Sequence, residues 1–236
     1  MTKQPDIHLY TASTMNGWKP LIFLEEAEVE YDMTYIDFSK KEQKSDWYMK
    51  LNPNGRIPTI VDRGNDDFAV FESGAILWYL AEKYQKFLPQ NQKARSQTLQ
   101  WLMFQMGGIG PMMGQAMYFQ RIAEPQGHRD EFAIERYVKE SRRLLEVLDK
   151  QLEDKTFLLG DEFTIADIAT YPWTRSYYWA KVSVDGLNNL QAWFDRIDQR
   201  PATQRALEKP KPVPEFFGRG NVDIAQSANA ARFKDN

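Results

Sequence analysis

β-Strand patterning is confined to the first 71 residues of this chain, and between Ala94 and Arg205 no run carries it. The chain therefore divides into an α/β unit followed by an all-α unit. In the first, Ile7 to Tyr10 reads as a short strand and Ser13 to Gly17 as a polar turn. Pro20 to Ala27 reads as a helix that turns Leu21, Ile22 and Leu24 to a core. Pro20 is tolerated only in a first helical turn, so the helix starts close to it. Tyr31 to Phe38 alternates as a second strand, and the charged, aromatic stretch Lys40 to Lys50 reads as a loop with a short helix. Asn52-Pro53-Asn54-Gly55 is a turn. Thr59 to Val61 is a β-branched strand, Asp62 to Asp67 a hairpin loop, and Phe68 to Phe71 the strand that pairs back. Ser73, read as an N-cap, opens a helix carrying Ala75, Ile76, Leu77, Leu80 and Ala81. The order β-α-β-α-β-β-α predicts a mixed sheet, parallel where a helix crosses over and antiparallel at the hairpin.

Past a short linker, Phe87 to Gln92, the period changes to that of helices. Leu99, Leu102, Met103 and Met106 recur at helical spacing from Ala94, until Gly107-Gly108, Gly110 and Pro111 interrupt them. Ile134 to Leu152 is the clearest amphipathic helix, with Ser141 as the polar residue on its apolar face and Glu135–Lys139 and Glu146–Lys150 pairs on the other. At Phe163-Thr164-Ile165-Ala166-Asp167-Ile168, Thr164 and Asp167 form a capping box and Phe163 and Ile168 a hydrophobic staple. Leu187 to Gln199 is a further helix, stopped at Arg200-Pro201. The segment Lys209 to Pro214 is an extended proline-rich spacer, followed by Phe216 and Phe217 and a weak helical stretch from Ala225 to Phe233. Expected boundaries are 1–88 for the α/β unit, 93–208 for the helical unit and 209–236 for the tail, which either frays or folds over a cleft between them.

Composition narrows the chemistry. The 236 residues include no cysteine, so disulfides, thiolate metal sites and a cysteine nucleophile of the chain's own are excluded. Any thiol chemistry must use a thiol that a ligand brings. His8 and His128 are too few for a histidine metal cluster, and no metal is expected. A net charge of −3 argues against a nucleic-acid or anionic-membrane binder. No apolar run approaches the roughly 20 residues of a membrane span, and Met1 to Asp6 is polar rather than a signal peptide, which fits a cytoplasmic protein.

Three places can carry chemistry. Ser13-Thr14-Met15-Asn16 lies between the first strand and first helix, on the usual ligand side of an α/β unit. A hydroxyl or carboxamide there either caps the helix or donates to a ligand thiolate and lowers its pKa. Ile57-Pro58 opens a strand. It is either a trans proline on a sheet edge or a cis bond that turns the Ile57 backbone toward an extended, peptide-like ligand. Glu72-Ser73 sits at a strand-to-helix junction, where free amides suit a carboxylate and Glu72 suits an ammonium group. Five of the nine methionines (Met103, Met106, Met112, Met113 and Met117) cluster, as core filler or as a soft wall for apolar substrates. Tyr118, Phe119, Tyr177, Tyr178 and Trp179 read as core or cleft lining.

Taken together, Asn54-Gly55-Arg56-Ile57-Pro58, Phe71-Glu72-Ser73-Gly74-Ala75-Ile76 and Thr164-Ile165-Ala166-Asp167 resemble the cytosolic glutathione transferases along nearly the whole chain. Thr14-Met15-Asn16-Gly17, the run Gly107 to Gln115 and Ala133-Ile134-Glu135-Arg136-Tyr137 are similar to the nu-class and Ure2p-like subgroup, which includes glutathione-dependent disulfide-bond oxidoreductases. The resemblance implies a thioredoxin-like domain with a mixed four-stranded sheet, a helical-bundle domain, homodimerisation and glutathione as co-substrate. It places Thr14 and Asn16 at the glutathione sulfur as the catalytic pair. Gln43 would contact the tripeptide, Ile57 would pair with its cysteinyl unit beside a cis Pro58, and Glu72 and Ser73 would hold its γ-glutamyl end. Arg136 would reach the site from the second domain. Ala116 stands where the subgroup often has asparagine. The function implied is reduction of small mixed disulfides, and of peroxides, by an activated glutathione thiol. The alternatives are a conventional transferase that conjugates apolar electrophiles, as in detoxification, and a non-catalytic binding or regulatory relative.

Overall fold

The computed structural model describes residues 4–213. Expectations for Phe216, Phe217 and Ala225 to Phe233 fall outside the described residues. Strands β1 (Ile7–Thr11), β2 (Tyr31–Tyr35), β3 (Thr59–Asp62) and β4 (Phe68–Phe71) form one sheet in the order β2-β1-β3-β4. β1 runs parallel to β2, with Ile7 opposite Tyr31, and antiparallel to β3, with Ile7 opposite Asp62. β3 and β4 are antiparallel, with Thr59 opposite Phe71. The parallel pair is joined by helix α1 (Trp18–Glu26), and α2 (Asp46–Leu51) lies in the connection from β2 to β3. Helix α3 (Ser73–Tyr84) follows β4 and packs on α1. The second strand is shorter than its alternation suggests. Asp37 turns the chain out of the sheet, its carboxylate accepting from the Ser39 amide at 2.9 Å to cap a 3₁₀ turn at Phe38–Lys40.

The helical half comprises α4 (Gln92–Phe104), α5 (Gly110–Tyr118), α6 (Glu131–Gln151), α7 (Ile165–Arg175), α8 (Asn188–Asp198) and α9 (Pro201–Leu207). The glycines after Met106 do not break the helix, contrary to the sequence reading. Gln105–Ile109 is a π-helical turn that carries α4 into α5, and Phe119–Ala123 is a second one. Such turns widen the ladder by one residue and are frequent at functional sites. They redirect the face the helix presents. Leu102 is buried, whereas Leu99 is 39% and Met103 53% exposed, so two of the four apolar residues at helical spacing lie at the surface.

Helix α7 starts as its sequence predicts. Thr164 and Asp167 form the capping box, and the buried Asp167 carboxylate also accepts from the Leu158 amide and the Trp193 indole. On α6, Ser141 is fully buried and its hydroxyl has no hydrogen-bond partner among the described residues. Pro201 occupies the first position of α9, so the proline that ends one helix starts the next.

One apolar cluster runs through both halves, joining Leu21, Ile22 and Ile60 to Leu145, Ile168 and Trp193. Helix α1 is central to it, packing on α3 and on α7 and α9. Polar ties lie at its C-terminal end. Glu26 accepts from Arg200 and Thr203, and Glu25 from Arg205, Lys209 and the Tyr31 hydroxyl. The Ile165 amide donates to the Phe87 carbonyl at 2.9 Å, tying the linker to the start of α7. Among the described residues no helix is long and apolar enough to cross a membrane, and no group of three or more His, Asp or Glu side chains is placed to hold a metal.

Candidate functional site

The loop from β1 to α1 is shaped by a close approach at Gly17. A Cβ there would lie 2.0 Å from the Ala12 carbonyl oxygen, and the Thr11 hydroxyl donates to the Gly17 carbonyl at 3.1 Å. The chain thus doubles back on the end of β1, leaving Thr14 and Asn16 at the carboxyl end of the strand. Thr14 is buried, and its hydroxyl oxygen accepts from the Gly17 amide at 3.0 Å. With one lone pair so used, the hydroxyl hydrogen is available to a ligand.

Asn16 is oriented from the other half of the molecule. The indole nitrogen of Trp173, on α7, donates to Asn16 Oδ1 at 2.8 Å. An indole N–H only donates, so it fixes the carboxamide with its oxygen toward Trp173 and its NH₂ group turned away. Both residues line a cleft of about 320 Å³ between the two halves, together with Met15, Lys19, Arg56, Gln105, Met106, Gln115, Met117 and Tyr118. The methionine cluster divides accordingly. Met106 and Met117 line the cleft, Met113 is core, and Met103 is at the surface. Gln115 faces the cleft, whereas Ala116 is fully buried.

The turn before β3 is held by Asn52. Its side-chain oxygen accepts from the Asn54 amide, and its NH₂ group donates to the Arg56 carbonyl at 2.7 Å and the Thr59 hydroxyl at 3.1 Å. Tyr48 donates to the same Arg56 carbonyl at 2.8 Å, and burial pushes its phenol up to about 12. Gly55 has φ +59°, a region favoured by glycine. Ile57-Pro58 is cis. Gln43 backs this turn, since a Cβ on Gly55 would lie 2.9 Å from its carbonyl oxygen. Its side-chain Oε1 is buried without a hydrogen-bond partner among the described residues. Such an atom is costly unless something donates to it.

At the β4–α3 junction the structure corrects the capping assignment. Glu72, not Ser73, occupies the N-cap position, with φ +70° and ψ +117°, a strained backbone for a residue with a side chain. Its carboxylate is exposed and accepts from Asn54 Nδ2 at 3.4 Å. Ser73 is the first helical residue, and its hydroxyl faces inward to Lys19.

Two expected groups stand elsewhere. Ser13 is neither a helix cap nor turned to the cleft. Its hydroxyl accepts from the Lys211 amide at 3.2 Å and lies 2.5 Å from the Lys211 carbonyl, anchoring the segment after α9 to the loop. Arg136 is exposed on α6 and lines a separate groove with Met112, Phe132, Lys139 and Arg143, which shares no lining residue with the cleft. His8 is structural, stacked on Tyr10 and bonded to Thr34 and Arg63, and burial lowers its pKa.

Sequence reading missed Lys19, Gln105 and Trp173. Lys19 left a trace, because it lies three and four residues before the buried Ile22 and Phe23, on their face of α1. Trp173 left none, since its role depends on a contact 157 residues away.

Comparison with known proteins agrees with this architecture. The Glutathione S-transferase N-terminal domain matches residues 5–82 and the C-terminal domain residues 109–201. The disulfide-bond oxidoreductase YfcG of Escherichia coli K12 is 44% identical over 207 residues, spanning 86% of this chain and 95% of the relative. A glutathione transferase from Burkholderia graminis, solved with two glutathione molecules bound per subunit, superposes with a TM-score of 0.83 at 40% identity, covering 88% of this chain and 89% of that one. A glutathione transferase from Pseudomonas putida, solved with one glutathione disulfide bound per subunit, gives a TM-score of 0.83 at 39% identity, over 89% and 94% of the two chains. With both domain types in sequence order, and a sheet-side loop and a helix-side tryptophan meeting at one cleft, the chain belongs to the glutathione S-transferase family.

Proposed function

We propose that this protein binds glutathione in the interdomain cleft and uses its thiol to reduce small disulfides. The observation that carries the reading is the fixed carboxamide of Asn16. Held by Trp173, it turns an NH₂ donor rather than an oxygen to the ligand side. A thiolate accepts such a hydrogen bond and a thiol has less need of it, so the donor favours ionisation. The Thr14 hydroxyl adds a second donor. The buried Gln43 side-chain carbonyl, without a partner among the described residues, suits a peptide N–H of the tripeptide. Ile57 and the cis Pro58 face its cysteinyl unit, and Glu72 and Ser73 hold the γ-glutamyl end.

The reaction balances without a protein thiol. The bound thiolate attacks one sulfur of a disulfide, the S–S bond breaks, and the departing thiolate takes a proton. A second glutathione thiolate then attacks the glutathionyl sulfur of the mixed disulfide, giving glutathione disulfide and the second product thiol. The names and ligands of the relatives, a disulfide-bond oxidoreductase and transferases holding two glutathiones or one glutathione disulfide, support both half-reactions. A reaction consuming reduced glutathione suits the reducing cytoplasm. The exposed Leu99 and Met103 on α4 and Phe68 and Phe71 on the edge strand β4 support pairing of two copies.

Steady-state assays with a small mixed disulfide and, in parallel, a halogenated aromatic test the reading. Turnover of the disulfide is expected to dominate. Strong conjugation beside negligible disulfide turnover would assign the protein as a conventional transferase. Lack of glutathione binding by calorimetry would assign it as a non-catalytic relative.

A further inference from the structure

The segment Lys209–Val213 leaves α9 and crosses the loop that carries Thr14. Its main chain grips that loop on both sides of Thr14. Before it, the buried Ser13 hydroxyl accepts from the Lys211 amide at 3.2 Å and lies 2.5 Å from the Lys211 carbonyl. After it, the Trp18 indole donates to the Lys209 carbonyl at 3.1 Å. The side chains hold the segment down. Lys209 Nζ donates to Glu25 at 2.6 Å and to the Tyr31 hydroxyl at 3.0 Å, and Lys211 Nζ sits 3.9 Å from the centre of the Tyr35 ring. Tyr31 and Tyr35 are the first and last residues of β2, so the two lysines span this edge strand. Val213 then packs against the main apolar cluster.

Thr14 itself bonds within the loop. Its hydroxyl accepts from the Gly17 amide at 3.0 Å and its carbonyl from the Trp18 amide at 2.9 Å. Asn16 has a tether outside the loop, in Trp173. For Thr14 the equivalent tether is indirect. It runs through Ser13, its neighbour in sequence, and through Trp18, whose amide meets its carbonyl. None of residues 209–213 lines the cleft, so their influence on a ligand there runs through the loop. A donor whose backbone is fixed on both sides keeps its aim as charge gathers on the group it faces, whereas a loose one spreads over orientations.

We infer that Lys209–Val213 is a strap that positions the Thr14 hydroxyl, with Ser13 as the positioning residue, so that a segment 196 to 198 residues beyond Ser13 sharpens the hydrogen bond offered to the glutathione sulfur. This rests on the glutathione reading above and adds to it a part of the chain that touches no ligand.

The test reads the ionisation of bound glutathione, by ultraviolet titration of its thiolate, in the full-length wild type and Ser13→Ala, and in both again with Thr14→Val added. Outright loss of a hydrogen bond to a charged group is worth roughly 1–2 pKa units. Loosening Thr14 forfeits part of that, so Ser13→Ala should raise the bound thiol pKa by about half a unit or more and move the pH profile of turnover alkaline with it. With Thr14→Val in place, the same substitution should move the thiol no further, because the hydroxyl it aims is gone. A thiol that ionises alike in folded Ser13→Ala and wild type overturns the inference even where the variant unfolds more easily, since a merely structural tie does only that. A rise of equal size in both backgrounds overturns it too, because the strap then acts on something other than Thr14. Should Ser13→Ala fail to fold, Lys209→Ala with Lys211→Ala decides in its place. Both side chains reach the surface, and their loss frees the segment from β2. The same rise supports the inference, and no rise overturns it. If the wild type binds no glutathione, the function proposed above fails and the inference with it, whereas binding with an unmoved thiol overturns the inference alone.

Discussion

Replacing Asn16 by aspartate is the sharpest perturbation of the proposed thiol site, because it changes chemistry with almost no change of shape. One carboxylate oxygen can still accept from the Trp173 indole, as Asn16 Oδ1 does at 2.8 Å. The other takes the place of the NH₂ group and meets the thiol with an acceptor. Alanine is a poorer choice, since it also strips the indole of its partner. Loss of a hydrogen bond to a charged group costs about 1.5–3 kcal/mol, or roughly 1–2 pKa units on the bound thiol. Repulsion between two unit charges about 4 Å apart adds about 4 kcal/mol at an effective dielectric of 20, and less where water enters the open cleft. The thiol pKa of bound glutathione should therefore rise by at least about 2 units. That shift cuts the thiolate fraction by up to about 100-fold at pH values below the thiol pKa. A Brønsted slope of about 0.45 returns roughly eightfold in nucleophilicity, leaving a net rate loss of up to about tenfold. Ultraviolet titration of the thiolate in the enzyme–glutathione complex measures the shift directly, and disulfide-reductase turnover against pH should move alkaline by the same amount. A bound thiol that ionises at the same pH in both proteins, with the variant folded, refutes the argument.

Trp173→Phe tests the same device from the opposite side. It keeps the ring but frees the carboxamide to flip, so kcat should fall several-fold, and the further substitution Asn16→Ala should add little to that loss. Thr164→Ala should leave turnover per folded molecule unchanged while lowering unfolding free energy by about 0.5–2 kcal/mol in denaturant titration, as the capping box is lost. Ser141→Ala removes a buried hydroxyl that has no partner among the described residues and should stabilise the protein by about 1 kcal/mol in the same measurement. Light scattering should find the proposed dimer for the wild type and monomers for Leu99→Asp with Met103→Asp, which places two charges on the exposed face of α4; a wild-type dimer that survives the change would place the pairing surface elsewhere.

Much of the architecture was legible before any coordinates. Signals that act over a few residues, such as Pro20 in a first helical turn, the Thr164–Asp167 box and the Asn52–Gly55 turn, appear in the structure as read. Others failed where a neighbour overrode local preference. Ser73 is a favourable cap residue, yet its hydroxyl is drawn inward by a lysine 54 positions away, and the strained Glu72 takes the cap position. Glycines at 107, 108 and 110 read as breakers, but the packing of α4, α5 and α7 on the π turn between them keeps the chain helical. Ser13 reads as a capping or ligand-binding hydroxyl, but the Lys209–Lys211 segment, 196 to 198 residues on, claims it.

By itself, the sequence determined the α/β-then-α order, the absence of any thiol of the chain's own, and the resemblance that points to a borrowed one. Those follow from period, composition and short motifs, which are properties of neighbouring residues. The tertiary structure alone decided which way the Asn16 carboxamide faces, that the Lys19 ammonium donates to a thioether, and that the Gln43 side-chain carbonyl has no donor among the described residues. Each of these is a question of donors and acceptors brought together from distant parts of the chain in a space closed to water. There, a single indole N–H sets what the site can bind.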